Sequence, residues 1–181
     1  MKNIVLVGFM GTGKTEVSKI LAQRLKKQRL CLDDMIEWKE GKPISKIFDE
    51  DGEEYFRKVE SEMVASVSKD KGFVIDAGGG TIINPANLKR LKETGVIFCL
   101  EADADTILKR TKGYAHRPLL NTDNPKLKIE QLLKARRPYY EKSDYIIDTA
   151  SISPDEAADK IISIMVSLEE EKESKMPPLF L

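Results

Sequence analysis

Residues 4–15 read IVLVGFMGTGKT. Four apolar, mostly β-branched residues run into Gly8, and residues 8–15 match G-x-x-x-x-G-K-[ST]. An apolar run without polar alternation predicts a strand buried on both faces, as in a parallel sheet covered by helices. Glycines let successive backbone N–H groups wrap phosphate oxygens, and a helix starting near Lys14 adds its positive dipole end. The motif assigns Gly11, Thr12, Gly13, Lys14, Thr15 and Glu16 to nucleotide phosphates. Lys14 reaches the β and γ phosphates, and the Thr15 hydroxyl can ligate Mg²⁺. An ordinary glycine-rich turn is the alternative, and the position between a strand and a helix counts against it.

Outward from this stretch, short apolar runs recur at residues 30–32, 73–75, 96–100 and 145–147, separated by longer charged, helix-like segments. That alternation implies a doubly wound α/β domain whose ligands bind beyond the carboxyl ends of the strands. A chain of 181 residues favours one domain with a real core. Lys plus Arg and Asp plus Glu are both 30, which excludes a general nucleic-acid binder but leaves room for a local basic pocket. Cys31 and Cys99 each lie in an apolar run, so a disulfide scaffold is not expected and a reducing cytosol fits. The apolar run at the N-terminus is short and meets Lys14 and Glu16 at once, unlike a signal peptide. No run approaches the ~18 apolar residues of a membrane helix. The expectation is a cytoplasmic protein with no membrane partner.

Two stretches break the alternation. Residues 112–125, KGYAHRPLLNTDNP, read as a long loop and hence a lid. Residues 169–181, EEEKESKMPPLFL, read as a charged, proline-containing tail beyond a domain of residues 1–168. Ahead of it, Ala157, Ala158, Ile161, Ile162 and Met165 have the spacing of one buried helix face. A third feature is FVIDAGGG, residues 73–80, where an apolar strand ends on Asp76 and three glycines follow. Three consecutive glycines weaken a fold through lost backbone entropy, so something is expected to come close to that backbone. No guanine-reading N-K-x-D occurs. A small phosphate-loop protein with a lid suggests a kinase for small molecules.

GFMGTGKT (8–15), DDMIE (33–37), IFDEDGEEYFRKVE (47–60), GGG (78–80), RPLL (117–120) and RRPYY (136–140) occur in the order found in shikimate kinases. Over about residues 3–155 the chain resembles that family. The resemblance implies a three-layer P-loop kinase fold, with a five-stranded parallel sheet flanked by helices and a mobile lid. It implies phosphoryl transfer from MgATP to the 3-hydroxyl of shikimate, in the route to chorismate and the aromatic amino acids, by a monomer. Residues 33–60 would form the substrate-binding segment. Arg57 and Arg136 would hold the substrate carboxylate, for which a guanidinium fork offers two charge-assisted hydrogen bonds. Glu60, three residues after Arg57 on an expected helix, can orient it. Asp33 would bind ring hydroxyls and take up the proton of the attacking one. Gly78, Gly79 and Gly80 would present bare main chain to the ring. Lys14 and the lid residue Arg117 would neutralise charge on the transferred group, and Arg110 would flank the adenine. His116 is expected to be solvated, and Trp38, Tyr139 and Tyr140 to pack.

The chain departs from the family twice. Where the family writes D-x-D in the second strand, this chain has Cys31-Leu-Asp33, and a neutral thiol is a poor partner for hard Mg²⁺. Cys31 is expected to be a buried filler. Asp76, ending the third strand beside the phosphate loop, can replace the missing carboxylate together with Thr15; capping the following turn is the other reading. The adenine-side loop, residues 148–154, lacks an arginine near Ile152. Two alternatives stay open: another small-metabolite kinase of the same fold, such as a gluconate kinase, and a nucleotide-binding regulatory module without catalysis.

Overall fold

The computed structural model describes residues 1–112 and 124–174, apart from the side chain of Lys172. Its central sheet is parallel and five-stranded: β1 (Asn3–Val7), β2 (Arg29–Cys31), β3 (Val74–Asp76), β4 (Gly95–Glu101) and β5 (Tyr145–Asp148), in the spatial order β2-β3-β1-β4-β5. The helices are α1 (Lys14–Leu25), α2 (Leu32–Glu40), α3 (Ile44–Glu50), α4 (Gly52–Val67), α5 (Pro85–Thr94), α6 (Ala104–Thr111), α7 (Pro125–Tyr140) and α8 (Pro154–Ser174).

Alternation along the strands divides the core into two faces. Ile4, Leu6, Val74, Phe98 and Leu100 face α1 and α8, where they meet Val17, Leu21, Ala157, Ala158, Ile161 and Met165. Val5, Val7, Ile75, Ile97 and Cys99 face the other way, against Val64, Leu91, Ile107, Ile129 and Tyr140. These are the three layers expected from strands without polar alternation. Ile36, Ile47, Phe56 and Val59 make a smaller core of their own joining α2, α3 and α4. That cluster holds the 33–60 segment together as a unit beside the sheet.

The strands depart from the apolar runs by a residue at one or both ends. The second is Arg29–Cys31 rather than 30–32, because Leu32 already begins α2, and the third starts at Val74 and ends on Asp76, as read from the sequence. Cys31 is half-buried rather than fully enclosed, since it ends a strand at the sheet edge. Trp38 is 88% exposed on α2 and packs in no core. The helix over the expected tail boundary continues to Ser174. No helix among the described residues is long and apolar enough to cross a membrane. Most of the 112–125 lid, with His116 and Arg117, lies outside the described residues, as do residues 175–181.

Candidate active site

The loop after β1 turns sharply into α1. Gly8 has φ 132°, and a side chain there would run into the Leu100 carbonyl of β4, so only glycine fits. The Lys14 ammonium arches back over the loop, donating to the carbonyl oxygens of Gly8 at 2.8 Å and Phe9 at 3.0 Å. The Thr12 hydroxyl donates to Phe9 O at 2.8 Å, which ties the turn from inside. Thr15 and Glu16 stand exposed on the first turn of α1.

The glycines after β3 form a junction at which the acceptor-side residues meet. A β-carbon at Gly78 would lie 3.4 Å from both Asp33 Oδ1 and Glu60 Oε1. At Gly79 it would stand 2.8 Å from Gly8 O of the phosphate loop, 3.2 Å from Arg136 Nη1 and 3.3 Å from the Tyr140 hydroxyl. At Gly80 it would press on the Arg57 guanidinium, 2.7 Å from Nη1. At Gly79 and Gly80 the phosphate loop and the Arg57 guanidinium already occupy the space a side chain would need, while at Gly78 the fit is only close. Asp33, Arg57 and Arg136, though scattered along the chain, share this floor.

Each wall is braced by its neighbours. Glu60, 2% exposed, accepts from Arg57 Nη1 at 2.9 Å and from the Thr81 hydroxyl at 2.7 Å. Arg57 also reaches Glu53, one turn earlier on α4, at 3.2 Å. The Arg136 guanidinium lies 5.2 Å from the centre of the Phe9 ring. Tyr140 is more than a packing residue: its hydroxyl donates to Gly79 O at 2.8 Å. Water reaches Asp33, yet the residue is recessed in the cleft with protein on most sides. That burial pushes its carboxyl up to about 6, Lys14 pulling it down and Asp76, Glu60 and Asp34 adding to the rise.

On the metal side, Arg29 and Cys31 face α1 from the edge strand, and Cys31 lies in register with Asp76. Arg29 Nε donates to Ser18 Oγ at 2.7 Å, and Nη2 donates to Asp76 Oδ2 at 2.7 Å. The Ser18 hydroxyl in turn lies 2.9 Å from Thr15 O and 3.2 Å from Asp76 Oδ2. Ser18 and Asp76 are buried. Burial pushes the Cys31 thiol up to about 11, with Asp76, Asp34 and Asp33 adding to the rise against a backbone hydrogen bond from Asp34. It stays protonated at neutral pH, and its soft sulfur is a poor partner for a hard cation such as Mg²⁺. The oxygens of Thr15 and Asp76 suit a hard cation that keeps most of its waters, although the charge of Asp76 is balanced by Arg29.

On the adenine side, Arg110 Nη2 donates to Thr149 O at 2.7 Å and Nη1 to Thr149 Oγ1 at 3.2 Å. The Thr149 hydroxyl lies within 3.0 Å of Thr12 O and 2.9 Å of Glu101 O. A cavity of about 230 Å³ opens beside this contact, lined by Gly13, Val17, Arg110, Thr149, Ile152 and Pro154. Arg110, from α6, thus brings a guanidinium to the loop that lacks an arginine of its own. Another cavity, of about 220 Å³, opens at the amino end of the sheet near Gly95 and Tyr145. It is remote from every residue above and is walled by aliphatic side chains and ion-paired surface groups.

Sequence reasoning missed Arg29, Ser18 and Thr149. Arg29 immediately precedes an apolar run and reads as a surface charge, while Ser18 carries only the weak signal of lying one turn after Thr15.

Residues 10–166 match the protein family described as shikimate kinase. The shikimate kinase of Thermodesulfovibrio yellowstonii is 48% identical over 162 residues, covering 90% of this chain and 94% of that one. That of Caldicellulosiruptor bescii is 45% identical over 175 residues, 97% of this chain and 99% of its own. Among solved structures, shikimate kinase from Acinetobacter baumannii in complex with shikimate superposes with a TM-score of 0.87 at 38% identity, covering 92% of this chain and 94% of that one. Matches of this extent span the phosphate loop, the glycine junction and both arginine-bearing helices, and the chain belongs to the shikimate kinase family.

Proposed function

We propose that the protein transfers the γ-phosphoryl group of MgATP to the 3-hydroxyl of shikimate, giving shikimate 3-phosphate and ADP. The observation that carries this reading is the glycine junction, where a carboxylate and two guanidiniums converge beside the phosphate loop. Shikimate is a carboxylate ringed with hydroxyls, so it needs cations at one end and an acceptor at the other. Arg57, held by Glu60, and Arg136, held over Phe9, grip the carboxylate. Asp33 accepts the proton of the 3-hydroxyl as its oxygen bonds to the γ-phosphorus and the bond to the ADP oxygen breaks. Lys14 leaves its loop carbonyls for the phosphates, and Arg117 screens charge on the transferred group.

Mg²⁺, when bound, neutralises the phosphates and orders them for in-line transfer. Thr15 would hold it directly, with Asp76 supporting it through water and the protonated Cys31 taking no part. The Arg110–Thr149 contact sets the wall against which adenine rests. The protein works as a monomer in the cytoplasm, a state that size-exclusion chromatography with light scattering checks.

ADP release by the purified protein with MgATP, compared across shikimate, quinate, gluconate and no acceptor, tests the reading. Stimulation by shikimate alone is expected. Stimulation by gluconate would reassign the acceptor, and a flat response with ATP still bound would make the protein a nucleotide-binding module.

A further inference from the structure

The network of Arg29, Asp76 and Ser18 lies outside the acceptor site, and it stands where the family's metal-side carboxylate is missing. Buried charges are costly, and an apolar trio of similar volume would hold two strands and a helix together at least as well. The polar version supplies direction instead. Arg29 spans Ser18 and Asp76 with two different nitrogens, so its guanidinium plane is fixed. Ser18 passes that restraint to the Thr15 carbonyl, in the turn that carries Lys14 and Thr15. The restraint therefore runs from the sheet edge, across β3, into the turn that meets the phosphates.

We propose that Arg29 and Asp76, joined through Ser18, are positioning residues that fix the first turn of α1 for nucleotide phosphates, in place of a carboxylate at position 31. Neither touches the reacting atoms; they act on Lys14 and Thr15. Lysine at position 29 would balance the charge of Asp76 but could not hold Ser18 and Asp76 in one plane. The proposal rests on the nucleotide-site reading above but not on the identity of the acceptor.

The test is ADP binding by titration calorimetry with EDTA in place of Mg²⁺, so that the metal support given to Asp76 above does not register, and no acceptor present, alongside thermal melting and the KM values of both substrates. Arg29→Met is expected to weaken ADP about tenfold, the effect of losing one charge-assisted contact, while KM for shikimate stays within about twofold. Arg29→Lys should recover only part of that loss. Because Arg29→Met strands a buried carboxylate and can fail to fold, the double variant Arg29→Met/Asp76→Leu removes both charges. A double variant that melts like the wild type yet still binds ADP about tenfold more weakly supports the proposal. Wild-type ADP affinity in the folded double variant, or equal loss of affinity for ADP and shikimate, overturns it. Failure of the wild-type protein itself to bind ADP would instead sink the nucleotide-site reading.

Discussion

Two arginine–carboxylate pairs lie on opposite sides of the cleft, and they differ in where the spare donors of the arginine go. In Arg57–Glu60 and in Arg29–Asp76 the carboxylate is buried, at 3% and 6% side-chain exposure, and the arginine is partly open, at 34% and 21%. Glu60 takes Nη1 of Arg57, the exposed Glu53 accepts from Nε and Nη2 at 3.3 and 3.2 Å, and the bare Gly80 backbone leaves the guanidinium beside the cleft. Arg29 instead donates to Asp76 and Ser18 inside the protein, leaving only Nη1 towards the surface, 3.8 Å from the exposed Asp34. A buried carboxylate orients an arginine in both cases. The surroundings of the remaining nitrogens decide whether the arginine binds a ligand or braces a helix.

The comparison can be broken from the acceptor side. Arg57→Ala is expected to lower kcat/KM for shikimate on the order of 10²–10³-fold, since it removes a forked contact and strands Glu60, with KM for MgATP little changed. Steady-state kinetics with each substrate varied in turn checks this, and an equal effect on both substrates would erase the contrast between the pairs. Gly80→Ala leaves the arginine in place but pushes it, because the added β-carbon would sit 2.7 Å from Nη1. A rise of roughly 10- to 100-fold in KM for shikimate is expected, from misplacement alone.

Acid should act through Asp33. Its carboxyl titrates at about 6 and must be ionised to accept a proton, so activity is present above that pH and lost below it. The pH profile of kcat/KM for shikimate should fall about tenfold for each unit below about 6. For stability the sign is opposite: the ionised form is disfavoured in the fold, so Asp33 costs stability as pH rises through the window from 3.8 to about 6. Because Asp33 is open to solvent, screening keeps that cost small, and Asp33→Asn should melt no lower than the wild type at neutral pH while losing turnover. The smallest effect is expected from restoring the family's residue. Cys31→Asp adds a carboxylate beside Asp33, Asp34 and Asp76, and should move the acidic limb of that profile upward by less than about one unit. A downward shift would mean that Arg29 has charge to spare.

The sheet was legible because β1 and β4 are buried on both faces and their inner runs, residues 4–7 and 96–100, carry no polar residue to disguise them. The phosphate loop was legible from its motif, and the convergence of Asp33, Arg57 and Arg136 on the glycines from family pieces that keep their order. Arg29 was not. Half-buried at the start of an edge strand, it reads like any charged residue closing a helix–strand turn, and its role depends on β2 lying beside β3 under α1. Thr149 was hidden for the same reason: its partners Arg110, Thr12 and Glu101 come from three distant parts of the chain. Trp38 shows the converse error, since an aromatic residue is usually buried and this one is not.

The glycine junction also bears on how such a site can change over time. A side chain at position 78 meets Asp33 and Glu60, at 79 the phosphate loop and Arg136, and at 80 Arg57. Substitution at Gly79 runs into the phosphate-loop backbone, at Gly80 it displaces the Arg57 guanidinium and at Gly78 it crowds Asp33 and Glu60 more mildly, so natural drift meets graded resistance along this floor. A descendant with a taste for another acceptor would have to be remodelled from the helices carrying the arginines, while the floor stayed as bare as it is now.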